Sequence, residues 1–256
     1  MADRTFASLV PRLNPSVPGC PQQTMIQYIR DAAIRVCERT LIWRYVQPTF
    51  ALLPGVHEYA YDKPANTEVH VLFDALVNDR PLDRLTLEQA LYQFPDWADP
   101  YSGQDLATLW EEIPENSLNT AEFNTEEFNS GSAFVLPDGA LAEASSPRAV
   151  TQLTSNKYIV LPAPDDDKVY NMRMVYALKP TRAADGMAEH IFNELEEAIL
   201  HSALQYLLVL PKVTWSDREL AAYHAKQFIR EMTERRARAN LGNMRGTMRA
   251  TAPRFA

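Results

Sequence analysis

An α+β fold is predicted for this chain of 256 residues. It has a helical bundle formed by the N- and C-terminal segments, an inserted antiparallel β-domain, and an extended C-terminal arm. Three observations predict it. A helical period runs through 21–41, a strand period replaces it from residue 43 to 180, and the helical period returns over 187–240. An isolated amphipathic helix is marginal in water, so the first helix needs the C-terminal helices to cover its apolar face. The expected division is 1–45 for the N-terminal arm and helix, 46–180 for the inserted β-domain, 181–240 for the C-terminal helices and 241–256 for the arm.

Each element has its own signal. Pro18-Gly19 breaks the chain, and Pro21 is a residue that a first helical turn tolerates. Met25, Ile26, Ile29, Ala33, Val36 and Cys37 then recur at helical spacing. Trp43 to Leu53 and Val56 to Tyr61 read as two strands with the Pro54-Gly55 turn between them. Val69 to Val77 is a further strand, and Asn78-Asp79 turns it back through Arg80-Pro81-Leu82. Thr86 with Gln89 at the third helical position is a capping box, which starts a short helix over 86–94. Strands resume at 148–154 and 157–161, and the last one ends at Pro180.

Ile191, Leu195, Ile199, Ser202 and Tyr206 line one face of a helix over 187–209. Thr214-Trp215-Ser216-Asp217 caps another over 216–240, which carries Leu220, Tyr223, Phe228, Ile229 and Met232. Gly242, Gly246 and Pro253 prevent a continuous helix beyond it.

The mean hydropathy of -0.29 suits a soluble protein. No apolar run approaches the roughly 20 residues of a membrane span, and the N-terminus has no apolar signal core. Two cysteines, Cys20 and Cys37, make no disulfide framework. The net charge of -8 is unevenly spread. No Lys or Arg lies between Arg84 and Arg148, while 95–144 holds eleven acids among Trp97, Trp110, Phe123, Phe128 and Phe134. Residues 95–147 therefore read as a long acidic loop. From Arg235 onward there are six arginines and no acid, so the tail carries +6 and the remainder -14.

No phosphate-binding glycine loop, nucleophile elbow or paired-cysteine motif occurs. His190, Glu194, Glu197 and His201 share a helical stripe. A metal-dependent hydrolase using His190, Glu197 and His201 is one alternative function. A di-iron bundle, however, uses Glu-x-x-His twice, and the spacing here is Glu197-x-x-x-His201. Polar residues opposite an apolar stripe ordinarily face solvent or a neighbouring subunit. Asp165, Asp166 and Asp167 fit a solvated turn. No catalytic residue, metal or cofactor is expected, and the chain reads as a non-enzyme. A second alternative is a DNA-binding module using the arginine-rich tail, through phosphate contacts. The acids elsewhere oppose it.

Several pieces in order resemble the head-to-tail connector (adaptor) proteins of tailed bacteriophages, including the tubular tail gatekeeper type of short-tailed phages. They are Val17-Pro18-Gly19-Cys20-Pro21, Ala32-Ala33, Cys37-Glu38-Arg39-Thr40 and Trp43, then Gly55-Val56-His57-Glu58-Tyr59 and Asn78-Asp79-Arg80-Pro81-Leu82. Ile159-Val160-Leu161-Pro162, Tyr176 to Pro180, Glu197-Ala198-Ile199, Ala203-Leu204, Leu210-Pro211 and Trp215 follow.

The resemblance implies a virion structural protein at the head–tail interface, assembled in the host cytoplasm. It implies a self-assembled ring, a dodecamer, that joins the portal protein to tail or nozzle proteins. Packaged DNA would pass through without specific binding, and no membrane is involved. It places Leu241, Met244, Arg245, Met248, Arg249, Arg254 and Phe255 against the portal. Arg30, Arg35, His190, Glu194, Glu197 and His201 then fall at subunit interfaces.

Overall fold

The computed structural model describes residues 3–94 and 146–241. The fold is mixed α+β, with five α-helices and mainly antiparallel strand pairing among the described residues. In chain order the strands are β1 (Asp3–Thr5), β2 (Arg44–Val46), β3 (Phe50–Ala51), β4 (Glu58–Ala60), β5 (Thr67–Val77), β6 (Arg80–Pro81), β7 (Asp83–Arg84), β8 (Ala149–Gln152), β9 (Lys157–Leu161), β10 (Asn171–Pro180) and β11 (Gly186–Ala188). The helices are α1 (Val10–Leu13), α2 (Gln22–Thr40), α3 (Leu87–Gln93), α4 (Glu189–Leu207) and α5 (Arg218–Leu241). The strands form three sheets, β1-β11, β2-β10-β5-β6 with β3 also on β10, and β4-β9-β8-β7. The chain divides into two compact units. One is built from residues up to Tyr45, Pro64–Val71 and the chain from Ala177, and the other from Val46–Lys63 and Leu72–Tyr176.

The first unit holds the long helices. Gly19, at φ +85, makes the turn before α2, and Leu41 closes the helix in the left-handed conformation. Met25, Ile29, Ala32, Ala33, Val36 and Cys37 are buried along α2. Helix α2 packs against both α4 and α5, and α4 against α5. Phe192, Leu195, Ala198, Ile199 and Ala203 of α4 are fully buried. Each large apolar side chain so buried contributes about 1.5–3 kcal/mol.

Three features here differ from expectation: burial of the N-terminal segment, exposure of apolar residues on α5 and the place where α5 ends. Phe6, Leu9, Leu13 and Val17 are fully buried, and the Phe6 ring lies 6.2 Å from that of Phe192. Through these four side chains, residues 3–17 pack into the core of this unit instead of standing off as an arm. Gly186 stands opposite Thr5 in the β1-β11 ladder, where a Cβ would collide with the Arg4 carbonyl oxygen. Helix α5 is capped by Asp217, whose carboxylate accepts from the Glu219 and Leu220 N–H groups at 3.0 Å. Its buried residues are Ala221, His224 and Phe228, whereas Tyr223 and Ile229 are 52% and 63% exposed. Leu241 ends this helix instead of starting an extended arm, because strong helix formers run up to it and Gly242 follows.

In the second unit, Asn78 and Asp79 both have positive φ and join β5 to β6, as a two-residue hairpin requires. Thr86 and Gln89 form the expected capping box on α3. The strands on either side of Pro54-Gly55 do not pair with each other. Strand β3 pairs with β10 and β4 with β9, so the turn sends the chain from one sheet to another. The sheet is also not wholly antiparallel, since β7 runs parallel to β8.

Tyr158 packs between Tyr59 and Tyr61, at 5.7 and 4.8 Å between ring centroids, and Tyr61 meets Tyr176 edge-on at 5.1 Å. Ala90 of α3 packs with Ala149, Leu153, Ile159 and Leu161. Most of the expected acidic loop, residues 95–145, lies outside the described residues.

Candidate functional site

The residues singled out in the sequence lie on the helices of the first unit, and the structure separates them. His190 is exposed in the first turn of α4, and Glu194, one turn further on, is half-buried. Glu197 and His201 are drawn into contacts within the subunit. Arg12 donates from Nη2 to Glu197 Oε1 and from Nη1 to Glu196 Oε1, both at 2.8 Å. Arg4 reaches the other Glu196 oxygen at 3.0 Å and Asn193 at 2.6 Å. The N-terminal segment thus clamps the acidic side of α4. Burial works against ionisation of Glu196, yet the hydrogen bonds from Arg12 and Arg4 hold its carboxyl below the usual range.

His201 Nδ1 lies 2.9 Å from His224 Nδ1 on α5. Burial lowers both pKa values, and each ring's neighbourhood adds to this, through Arg12 for His201 and through His201 for His224. Glu197 and Glu231 oppose the shift at His201. With Glu197 held by Arg12 and His201 facing His224, the metal-hydrolase arrangement of His190, Glu197 and His201 is not assembled. Among the described residues no group of three or more His, Cys, Asp and Glu side chains could hold a metal ion. Asp165 accepts from the Tyr170 hydroxyl at 2.9 Å and the Asp167 N–H at 3.3 Å, as in a hydrogen-bonded turn.

The two arginines of α2 behave differently from each other. Arg30 donates from Nε to the Ala184 carbonyl at 2.7 Å, and its Nη2 lies 3.3 Å from Asp185. Arg35 stacks on the Tyr206 ring at 3.9 Å, and its Nε and Nη2 find no protein acceptor among the described residues. Tyr206 was expected on the apolar face of α4. It is instead partly exposed, with this guanidinium over it.

Beside α2 the C-terminal part of α5 forms a groove of about 460 Å³. Leu41, Phe228, Ile229 and Met232 line it, with Arg39 and Arg236 at its rim. Burial also pushes the Cys37 thiol up to about 12, which suits a packing residue and not a reactive one.

Sequence reading missed Arg4, Arg12, Glu196 and His224. Nothing local marks Arg4 or Arg12, whose partners lie more than 180 residues away. His224 carries a signal, since it falls at helical spacing between the apolar residues Ala221 and Phe228.

These contacts describe helices fastened to one another. A family model described as SU10 adaptor protein matches residues 4–252. The chain belongs to this family. It is a phage adaptor protein, and its role is that of a structural connector in the virion, working with other phage head and tail proteins. No curated protein matches it. Of the residues expected against the portal, Met244, Arg245, Met248, Arg249, Arg254 and Phe255 lie outside the described residues of the adaptor. Leu241 lies within it, as the last residue of α5.

Proposed function

We propose that the adaptor forms a closed ring between portal and tail at the head–tail interface and lines the DNA channel there. The gatekeeper type of short-tailed phages supplies the pattern, with a dodecamer as its ring. The helices of 1–45 and 181–240 form a bundle that is the body of the ring. The β-domain of 46–180 is its collar, and 242–256 reaches the portal from the end of α5.

The observation that carries this reading is the family match over 4–252, which takes in the N-terminal segment, the long helices and most of the arginine-rich tail. Two features support it. Helix α5 keeps Tyr223 and Ile229 in solvent, as a helix waiting for a neighbour does. Outside the tail the charge is -14, and a like-charged wall repels DNA and lets it slide. Arg30, Arg35, His190, Glu194, Glu197 and His201 stand at or beside the subunit boundary. Arg35 brings two donors that lack an acceptor within the described part of its own chain.

Electron-microscopy class averages of the purified adaptor, alone and with portal-bearing heads, test the proposal. Rings coaxial with the portal are expected. Single subunits scattered on the head surface would overturn it.

A further inference from the structure

The groove between α5 and the end of α2 has an apolar floor and a cationic rim. Leu41, Phe228, Ile229 and Met232 form the floor, and Ile229 is the most exposed of these, at 63%. Arg39 and Arg236 stand at the rim, and among the described residues no ion pair engages either of them. The one acid at the rim, Glu38, is taken by Lys179 at 3.0 Å. An occupant must therefore bring carboxylates together with large apolar side chains.

The adaptor's tail does not qualify. Residues 242–256 carry Arg245, Arg249 and Arg254 and no acid, so the rim repels them. The segment 95–144 does qualify. It has eleven carboxylates, no Lys or Arg, and Trp97, Trp110, Phe123, Phe128 and Phe134 spaced among the acids. We propose that the groove formed by α2 and α5 is a docking site for the acidic, aromatic segment 95–144 of a second copy of this chain. An aromatic anchor fills the floor, and flanking carboxylates meet Arg39 and Arg236. Rim charges of this kind set register and speed of encounter, while the desolvated anchor holds the complex. The inference rests on the ring reading, since a ring brings many such grooves and segments together. It gives one role to two features that the family alone does not explain.

The test places a photo-crosslinking benzoylphenylalanine at position 229 of the full-length adaptor. This protein is mixed with nitrogen-15-labelled wild-type adaptor, bound to portal-bearing heads, irradiated and digested. Crosslinks from position 229 to labelled peptides of 95–144 are expected. The double variant Arg39→Glu/Arg236→Glu should lower their yield at least about fivefold, because it reverses the complementarity. Crosslinks confined to unlabelled peptides of the same chain, or reaching only other regions, would overturn the proposal. So would their absence. Microscopy of the same sample keeps the two readings apart. Rings without these crosslinks sink the docking site and spare the ring. Labelled crosslinks without rings sink the ring and leave a pairwise contact.

Discussion

Helices α4 and α5 differ in how they use similar lengths of chain. Helix α4 buries ten of its nineteen residues, with Leu195, Ala198 and Ile199 at zero exposure. Helix α5 buries Ala221, His224 and Phe228 within its described part and leaves Tyr223 and Ile229 in water. The sequence of each carries apolar residues at helical spacing, yet only one is surrounded. Apolar periodicity therefore marks a helix, not how much of it the subunit covers. In the ring proposed above, the open side of α5 around Ile229 is where assembly would act.

The largest effect is expected at α4. Leu195→Asp buries an unpaired charge and should cost about 3–5 kcal/mol, read as insoluble protein or a collapsed thermal melt. A soluble variant with wild-type melting would mean that α4 is not the central helix. Gly186→Val comes next, since its side chain has no room against the Arg4 carbonyl. About 1–3 kcal/mol should be lost through separation of the β1-β11 ladder, seen as faster hydrogen exchange at Arg4 and Phe6.

The histidine contact joins the two helices. Both histidines sit below the ordinary value in the folded chain, so just below about pH 6.5 the unfolded chain binds more protons than the native one. Stability is full above that pH and declines as pH falls through the window. The charged groups around the pair are Glu197 on α4, Glu231 on α5 and Arg12 from the N-terminal segment. The double variant His201→Gln/His224→Gln should flatten the decline between pH 7 and 5 in melts at about those pH values. An unchanged slope would assign the acid sensitivity elsewhere. The smallest effect belongs to α5. Ile229→Asp should change the melting of the isolated subunit by no more than about 0.5 kcal/mol, because its side chain is already in water.

Much of this fold can be read locally. The span of α2, the Thr86 capping box and the Asn78-Asp79 turn all depend on residues within one or two turns of each other, and the structure has them where the spacing puts them. What cannot be read locally depends on partners far along the chain. Strand β1 finds β11, and Arg12 finds Glu196 and Glu197, across more than 180 residues. Strand alternation cannot say that β3 and β4 leave the same turn for different sheets. The polar stripe on α4 was legible as a face, but its fate was not. Two of its four members are occupied, Glu197 by Arg12, which nothing local marks, and His201 by His224, whose spacing marks it as inward-facing without naming its partner.

The most direct measurement is the occupancy of portal-bearing heads by the wild-type adaptor and by Ile229→Asp, counted in electron micrographs beside thermal melts of both proteins. Full rings are expected for the wild type, and lost or incomplete rings with unchanged melting for the variant. A variant that fills the heads as completely as the wild type would show that the open face of α5 is not an assembly surface. A variant that melts as Leu195→Asp does would show that this face was never open.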